Sequence, residues 1–245
     1  MLNNHWSGSQ SGSTIVITSR NQTGGCTWCT VHDLVIRFNK IFDTGRGFVL
    51  GGADNVQPSE DSHNIWIHDN LFYSLGIDPL DGTADGGLTN ASTASASHAR
   101  ITHNTWSKTL RFGIFNVQPG CSFDVNFYEI SNNLFDVNSN TILGDTVGGG
   151  YPALNACFDS NSIFLNNAVV NINVTETCNG SGNQLNDYPS DFICLSGSSA
   201  VQFADRTNDN YTLQATSPLK GAGSDGKDVG ADINELNNKI RGVVP

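Results

Sequence analysis

One short motif recurs along this chain at intervals of 29 to 35 residues. Each copy contains an asparagine, with an apolar residue three positions before it and another apolar residue two positions after it. A repeat of this length predicts a solenoid, because one coil can bury its apolar face only when the next coil stacks on it. Six asparagines occupy the repeated position: Asn4, Asn39, Asn70, Asn104, Asn133 and Asn167.

The residues around these asparagines indicate β-strands. The runs 34–36, 64–67 and 162–165 are rich in β-branched and aromatic residues and lack a helical period, while Gly, Asn, Asp and Ser fill the gaps. Asparagine tolerates the left-handed α region, so we expect each repeated asparagine to form a one-residue bend between two strands. Stacked at the strand spacing of about 4.8 Å, their side chains would form a hydrogen-bonded ladder.

Over residues 1–170 the pattern resembles the right-handed parallel β-helix family, the architecture of pectate-lyase-like proteins. The resemblance implies an all-β chain, a single-stranded right-handed parallel β-helix of about six coils over residues 1–207. Residues 208–245 are interpreted as a C-terminal cap, since 209–232 resembles the segment that packs over the last coil of secreted bacterial β-helices. The chain starts inside a repeat, so we expect upstream coils or a cap to be missing, either through truncation or through assembly with another chain at the uncapped first coil.

Charge limits the partners. The net charge is −11, which argues against nucleic acid and anionic membranes, and no apolar run approaches the length of a transmembrane helix. No signal peptide opens the sequence. A polyanion such as pectate would need calcium or a basic patch, whereas a neutral glycan would not.

The sequence contains six cysteines, and Cys26 and Cys29 form a C-x-x-C motif that could serve redox chemistry or supply half a zinc site. Structural disulfides of an exported protein are the favoured interpretation. Sequence alone leaves the pairing open, although neighbours along the chain favour three pairs. The protein is therefore expected to be secreted or displayed at the cell surface. The favoured pairs are Cys26–Cys29, Cys121–Cys157 and Cys178–Cys194.

The turns that leave the second strand of each coil should stack at one edge, where the longest loops also leave the coils. They would wall a groove that suits an extended polymer. The predicted catalytic residues are Asp54, Asp145 and Arg20, and the predicted substrate-binding residues are Asn116, Gln118, Arg46 and Arg111. The alternative is that these are ordinary polar turn residues.

The same residues leave the reaction open. Pectate-lyase-like enzymes use a basic residue to remove a proton beside a uronate carboxylate, whereas glycoside hydrolases use paired carboxylates. Neither motif maps residue by residue onto this chain, so whether it is an enzyme is left open. Four histidines near the coil junctions are interpreted as outward-facing strand-end residues: His63, His68, His98 and His103.

Asp78, Asp81 and Asp85 place three carboxylates in one glycine-rich loop, and hard oxygen ligands on such a loop suit calcium. Asp225, Asp228 and Asp232 repeat the same spacing. The alternative is turn formation, which aspartate also favours.

The function expected from these features is engagement of an extracellular polysaccharide, with lyase or hydrolase action in the groove as the enzymatic form. The alternative is a non-catalytic structural or adhesive solenoid that self-assembles through its uncapped end.

Overall fold

The computed structural model describes residues 13–54, 56–76, 86–90, 96–115, 121, 126–138, 141–144, 146–170 and 188–242; for 86–90 and 113–115 it describes the backbone only. The described chain forms a mostly β, parallel solenoid of about four complete turns, fewer than the six coils expected.

Each complete coil contributes three strands, which follow an initial strand β1 (Ser13–Ile17). Coil 1 has β2 (His32–Arg37), β3 (Lys40–Thr44) and β4 (Arg46–Leu50); coil 2 has β5 (His63–His68), β6 (Leu71–Leu75) and β7 (Gly86–Asn90). Coil 3 has β8 (Ser97–Thr102), β9 (Thr105–Thr109) and β10 (Gly113–Phe115); coil 4 has β11 (Glu129–Ser131), β12 (Leu134–Val137) and β13 (Ile142–Gly144).

The rest of the described chain is less regular. It comprises β14 (Gly148–Gly149), α1 (Tyr151–Cys157), β15 (Ile163–Leu165), β16 (Ala168–Val170), β17 (Ile193–Leu195), α2 (Ser198–Val201), β18 (Phe203–Asp205), a 3-10 turn (Arg206–Asn208), β19 (Asn210–Leu213) and α3 (Ile233–Lys239).

Successive coils stack into three sheets. The first sheet has the order β2-β5-β8-β11-β15, and the second has the order β3-β6-β9-β12-β16-β17. The third has the order β1-β4-β7-β10-β13-β14, in which only the β13–β14 pair is antiparallel. Parallel stacking places equivalent residues of successive coils side by side, so any feature that recurs in the sequence forms a row along the solenoid.

The predicted asparagine ladder is confirmed for the five asparagines within the described residues. In the centre, the Oδ1 atom of Asn104 accepts hydrogen bonds from both the backbone N–H and the Nδ2 of Asn70, each at 3.0 Å. Asn104 in turn donates to Asn133 Oδ1 at 2.9 and 3.1 Å. The side chains of Asn70, Asn104, Asn133 and Asn167 are fully buried. The ladder therefore supplies hydrogen-bond partners inside the stack where water cannot.

The bend residue was predicted wrongly. The residue with positive φ is the one before each ladder asparagine, with φ between 48° and 58°. This bend turns the following side chain inward, and asparagine is needed there for its carboxamide. The bend residues are Phe38, Asp69, His103, Asn132 and Asn166.

Apolar side chains fill the interior of the coils. The rings of Phe72 and Trp106 stack at 4.6 Å, and those of Phe112 and Phe135 stack at 4.4 Å. Offset stacking of large rings adds to the free energy gained by burying their area. The motif's apolar positions are thus the contacts that hold one coil on the next.

The C-terminal segment 217–240, here called the strap, lies along the outer face of the second sheet. Its backbone N–H groups at Gly230 and Ala231 donate to the carbonyl of Asn132 and the hydroxyl of Thr105. Near its end, the ammonium of Lys239 lies 5.8 Å from the ring of Phe38 in coil 1. The segment expected to close the last coil therefore runs back across the earlier coils.

Two of the favoured disulfides, Cys26–Cys29 and Cys121–Cys157, are present. Cys194 is also disulfide-bonded, and Cys178 lies outside the described residues. Within the described part of the chain no cysteine is free, which indicates folding in an oxidising environment.

Candidate functional site

The predicted site at the third-sheet edge is described in part. Asp54 Oδ2 accepts from the backbone N–H of Asn21 at 2.8 Å, and its Oδ1 accepts from the N–H groups of Val56 and Gln57 at 2.8 and 3.3 Å. These bonds, led by those from Asn21 and Val56 and helped by the charge of Arg20, hold the pKa of Asp54 below its ordinary value. Arg20 thus lies near enough to Asp54 for its charge to act on that carboxylate.

Two further predicted residues are described. Arg46 opens β4, and its carbonyl accepts from Thr14 Oγ1 at 3.2 Å; Arg111 lies between β9 and β10. The following predicted residues lie outside the described part of the chain: Asp145, Asn116, Gln118, Asp78, Asp81 and Asp85.

The pKa of Asp54 predicts its behaviour on acidification. Because the folded pKa is lowered, the hydrogen bonds that Asp54 accepts from Asn21, Val56 and Gln57 stabilise the fold fully above the ordinary pKa of 3.8, and this stabilisation is lost as pH falls through the folded pKa. A ¹³C NMR titration should therefore give Asp54 an apparent pKa below 3.8. A value above 3.8 would contradict this arrangement and would restore Asp54 as a candidate general acid.

A second surface is more complete. The outer face of the first sheet carries a groove of about 560 Å³ that crosses all five strands of the sheet. One wall consists of the residues six positions before each ladder asparagine, and the other consists of the residues four positions before it. We call this the first-sheet groove. Its walls are Asp33, Asn64, His98, Phe127 and Asn161 on one side, and Val35, Trp66, Arg100, Glu129 and Ile163 on the other.

Backbone bulges form the first wall. Asp33, Asn64, His98 and Phe127 all have φ between 54° and 57°, and strand pairing passes over Asp33 and Asn64. The rings of His98 and Phe127 stack at 4.5 Å with an interplanar angle of 8°, and Phe127 is 46% exposed. This wall therefore presents a flat ring pair to solvent.

Side-chain contacts fix the second wall. Trp66 Nε1 donates to Thr102 Oγ1 at 2.9 Å, and its ring stacks on His68 at 3.9 Å. The guanidinium carbon of Arg100 lies 4.7 Å from the centre of the Trp66 ring. Arg100 Nε also donates to Glu129 Oε2 at 2.7 Å, so Arg100 bridges the aromatic and the acidic part of the wall.

Polar groups at the β2 end are also held in place. Asp33 Oδ2 lies 2.7 Å from His32 Nδ1, and Asp33 Oδ1 accepts from Asn64 Nδ2 at 3.1 Å. These bonds, with that from His32 the stronger cause, lower the pKa of Asp33. An ionised carboxylate therefore faces the groove near neutral pH.

His98 was predicted to face outward, but the groove was not predicted from the sequence. The sequence does contain a pattern that indicates it, because the residues of the two walls lie six and four positions before each ladder asparagine. In a strand, residues at offsets of four and six point to the same face, opposite the inward residue at offset three or five.

The second predicted calcium cluster has other partners. Asp225 lies 3.1 Å from His103 Nε2, Asp228 accepts from Lys220 Nζ at 2.7 Å, and Asp232 caps α3 through the N–H of Glu235 at 2.9 Å. In the described ranges, no group of three or more His, Cys, Asp or Glu side chains is arranged to hold a metal ion. Within those ranges no helix is long and apolar enough to cross a membrane.

No protein-family model, curated protein or solved structure matches this chain.

Proposed function

We propose that this protein binds an extended extracellular polysaccharide in the first-sheet groove. The observation that carries the proposal is an exposed, flat His98–Phe127 ring pair in a groove with hydrogen-bonding side chains on both walls. These side chains are Asp33, Asn64 and Asn161 on the wall of the rings, and Arg100 and Glu129 on the facing wall. Pyranose rings carry apolar C–H faces that pack on aromatic rings, and their hydroxyl groups bond to carboxylates and amides. Both kinds of group recur along this groove.

The dimensions favour a polymer over a single sugar. Five strands at a spacing of about 4.8 Å extend the groove over roughly 19 Å, which accommodates several sugar residues in a row. The parallel solenoid and its disulfides support, by resemblance, a secreted protein of the pectate-lyase-like type.

The carboxylates in the groove favour binding over cleavage. Asp33 is engaged by His32 and Asn64, while Glu129 is engaged by Arg100 and by the hydroxyl of Ser131 at 2.8 Å. A general acid needs a pKa near the working pH, whereas the pKa of Asp33 is lowered. Lyase or hydrolase action at the Arg20–Asp54 edge remains a separate prediction.

The test replaces both rings of the exposed pair by asparagine. His98 and Phe127 have φ of 54° and 55°, where asparagine is well tolerated, so His98→Asn/Phe127→Asn removes the rings without straining the backbone. We expect binding to a panel of soluble polysaccharides, measured by affinity electrophoresis and calorimetry, to weaken at least about tenfold. The reason is that a ligand ring stacked on an aromatic side chain contributes about 1–3 kcal/mol to binding.

Trp28→Ala supplies the matched control, since this tryptophan is 68% exposed and lies outside the groove. Its binding should equal that of the unaltered protein. Equal binding by the double variant, or no binding of any polysaccharide by the unaltered protein, would contradict the proposal.

A self-associating structural role is the second candidate. Ile163 and Leu165 on β15 are 47% and 42% exposed, and β15 is the last strand of the first sheet in the described chain. Apolar side chains on an end strand favour pairing with another chain. Concentration-dependent assembly in sedimentation velocity, lost in Leu165→Lys, would favour this role, because Leu165 lies outside the first-sheet groove.

A further inference from the structure

We propose that the first-sheet groove selects uncharged glycans and that Glu129 determines this selectivity; the inference rests on the proposed function. Among the groove residues, the walls carry two carboxylates, Asp33 and Glu129, and one guanidinium, Arg100. A uronate-rich polymer would need a cation with donors available to it, because each of its carboxylates must replace strong bonds to water.

The charge of Arg100 is already paired with a carboxylate. Its Nε donates to Glu129 Oε2 at 2.7 Å, and its guanidinium carbon lies 4.7 Å from the centre of the Trp66 ring. Glu129 is held in turn, because its Oε1 accepts from Ser131 Oγ at 2.8 Å. The positive charge of Arg100 is thus balanced by the fixed negative charge of Glu129 beside it. The ion pair therefore presents no net positive charge to a ligand in the groove.

The remaining acidic groups oppose a polyanion. Asp33 has a lowered pKa and is ionised at the β2 end. At the β15 end, Asp159 accepts from the backbone N–H of Phe127 at 3.0 Å and from Asn161 Nδ2 at 2.8 Å, and its pKa is also lowered. An acidic chain lying along the groove would therefore meet a carboxylate near each end. The net charge of −11 adds a long-range repulsion of the same sign.

Glu129→Gln tests the selectivity. The change keeps the size of the side chain and removes its charge, which leaves Arg100 free to pair with a ligand carboxylate. Calorimetry would compare neutral gluco-, manno- and galacto-oligosaccharides with oligogalacturonate of equal length, at low and at physiological ionic strength. Glu60→Gln is the matched control, because it makes the same change of charge at an exposed residue outside the groove.

For the unaltered protein we expect a neutral oligosaccharide to bind with an affinity independent of salt, and oligogalacturonate to bind at least about tenfold more weakly. Glu129→Gln should raise the affinity for oligogalacturonate relative to that for the neutral oligosaccharide about tenfold at low salt, the effect of one charge-assisted hydrogen bond. Glu60→Gln should change neither.

Three results would overturn the inference. If oligogalacturonate binds the unaltered protein as tightly as neutral sugars and His98→Asn/Phe127→Asn abolishes this binding, the selectivity is wrong while the proposed function stands. If Glu60→Gln acts as strongly as Glu129→Gln, overall charge and not Glu129 sets the preference. If no oligosaccharide of either charge binds, the proposed function fails, and the inference fails with it.

Discussion

Replacing Asn104 by alanine is expected to lower the free energy of unfolding by about 3 kcal/mol, because it leaves several buried polar groups without partners. Asn104 Oδ1 accepts two hydrogen bonds from Asn70, and its Nδ2 donates to the carbonyls of Ile67 and Thr102 and to Asn133. Urea unfolding followed by circular dichroism measures the change.

The ladder supplies its own control. Asn39 is only partly buried and bonds to Asn70, whereas Asn104 bonds to neighbours on both sides. Asn39→Ala should therefore cost about 1 kcal/mol, the contribution of an ordinary hydrogen bond. Equal losses at the two positions would show that the ladder does not act through burial.

Replacing Asp136 by alanine is expected to lower the free energy of unfolding by about 3 kcal/mol. The change removes a buried carboxylate with all its hydrogen bonds and takes from Arg206, whose side chain is 29% exposed, its ion-pair partner. Asp136 is fully buried on β12 and accepts from Arg206 Nε and Ser107 Oγ, both at 2.6 Å, and from the hydroxyl of Ser198. The loss should appear as a lower unfolding midpoint and as faster proteolysis beyond residue 198.

The comparison is Lys108→Gln, which breaks the exposed pair between Lys108 Nζ and Asp209, 2.7 Å apart. Exposed pairs contribute less than about 1 kcal/mol, so the unfolding midpoint of this variant should lie close to that of the unaltered protein. If Asp136→Ala lowers the midpoint no more than Lys108→Gln does, the Asp136–Arg206 pair does not hold the C-terminal segment to the coils.

The fold could be predicted because the interactions that stabilise it recur once per coil. Every coil needs an asparagine at the ladder position and apolar residues around it that face the interior, so the same motif recurs along the sequence. The described residues contain fewer complete coils than there are repeated asparagines. Asn4 lies outside the described residues, and Asn167 belongs to a coil of which only β15 and β16 are described before residue 171.

The candidate site was harder to predict for two reasons. The expected site lay mainly on loops of unequal length, where distance along the sequence gives no register. Three of its seven residues, and all three of the predicted calcium ligands 78, 81 and 85, fall outside the described part of the chain. The first-sheet groove keeps constant offsets from the ladder, yet its residues differ in type from coil to coil: aspartate, asparagine, histidine and phenylalanine follow one another at offset six. Only the register shows that they form one wall.

The strap sets an order of assembly. Ladder contacts join residues 29 to 34 positions apart, whereas the bonds from the strap to coils 3 and 4 join residues 92 to 126 positions apart. Contacts between distant residues carry the larger chain-closure entropy and form later.

Since synthesis proceeds from the N-terminus, the coils can stack while the strap is still inside the ribosome. Throughout that interval Leu71 and Leu134, buried under the strap in the finished molecule, face water. Slow translation through residues 198–240 would therefore lengthen the period in which the nascent solenoid is prone to aggregate.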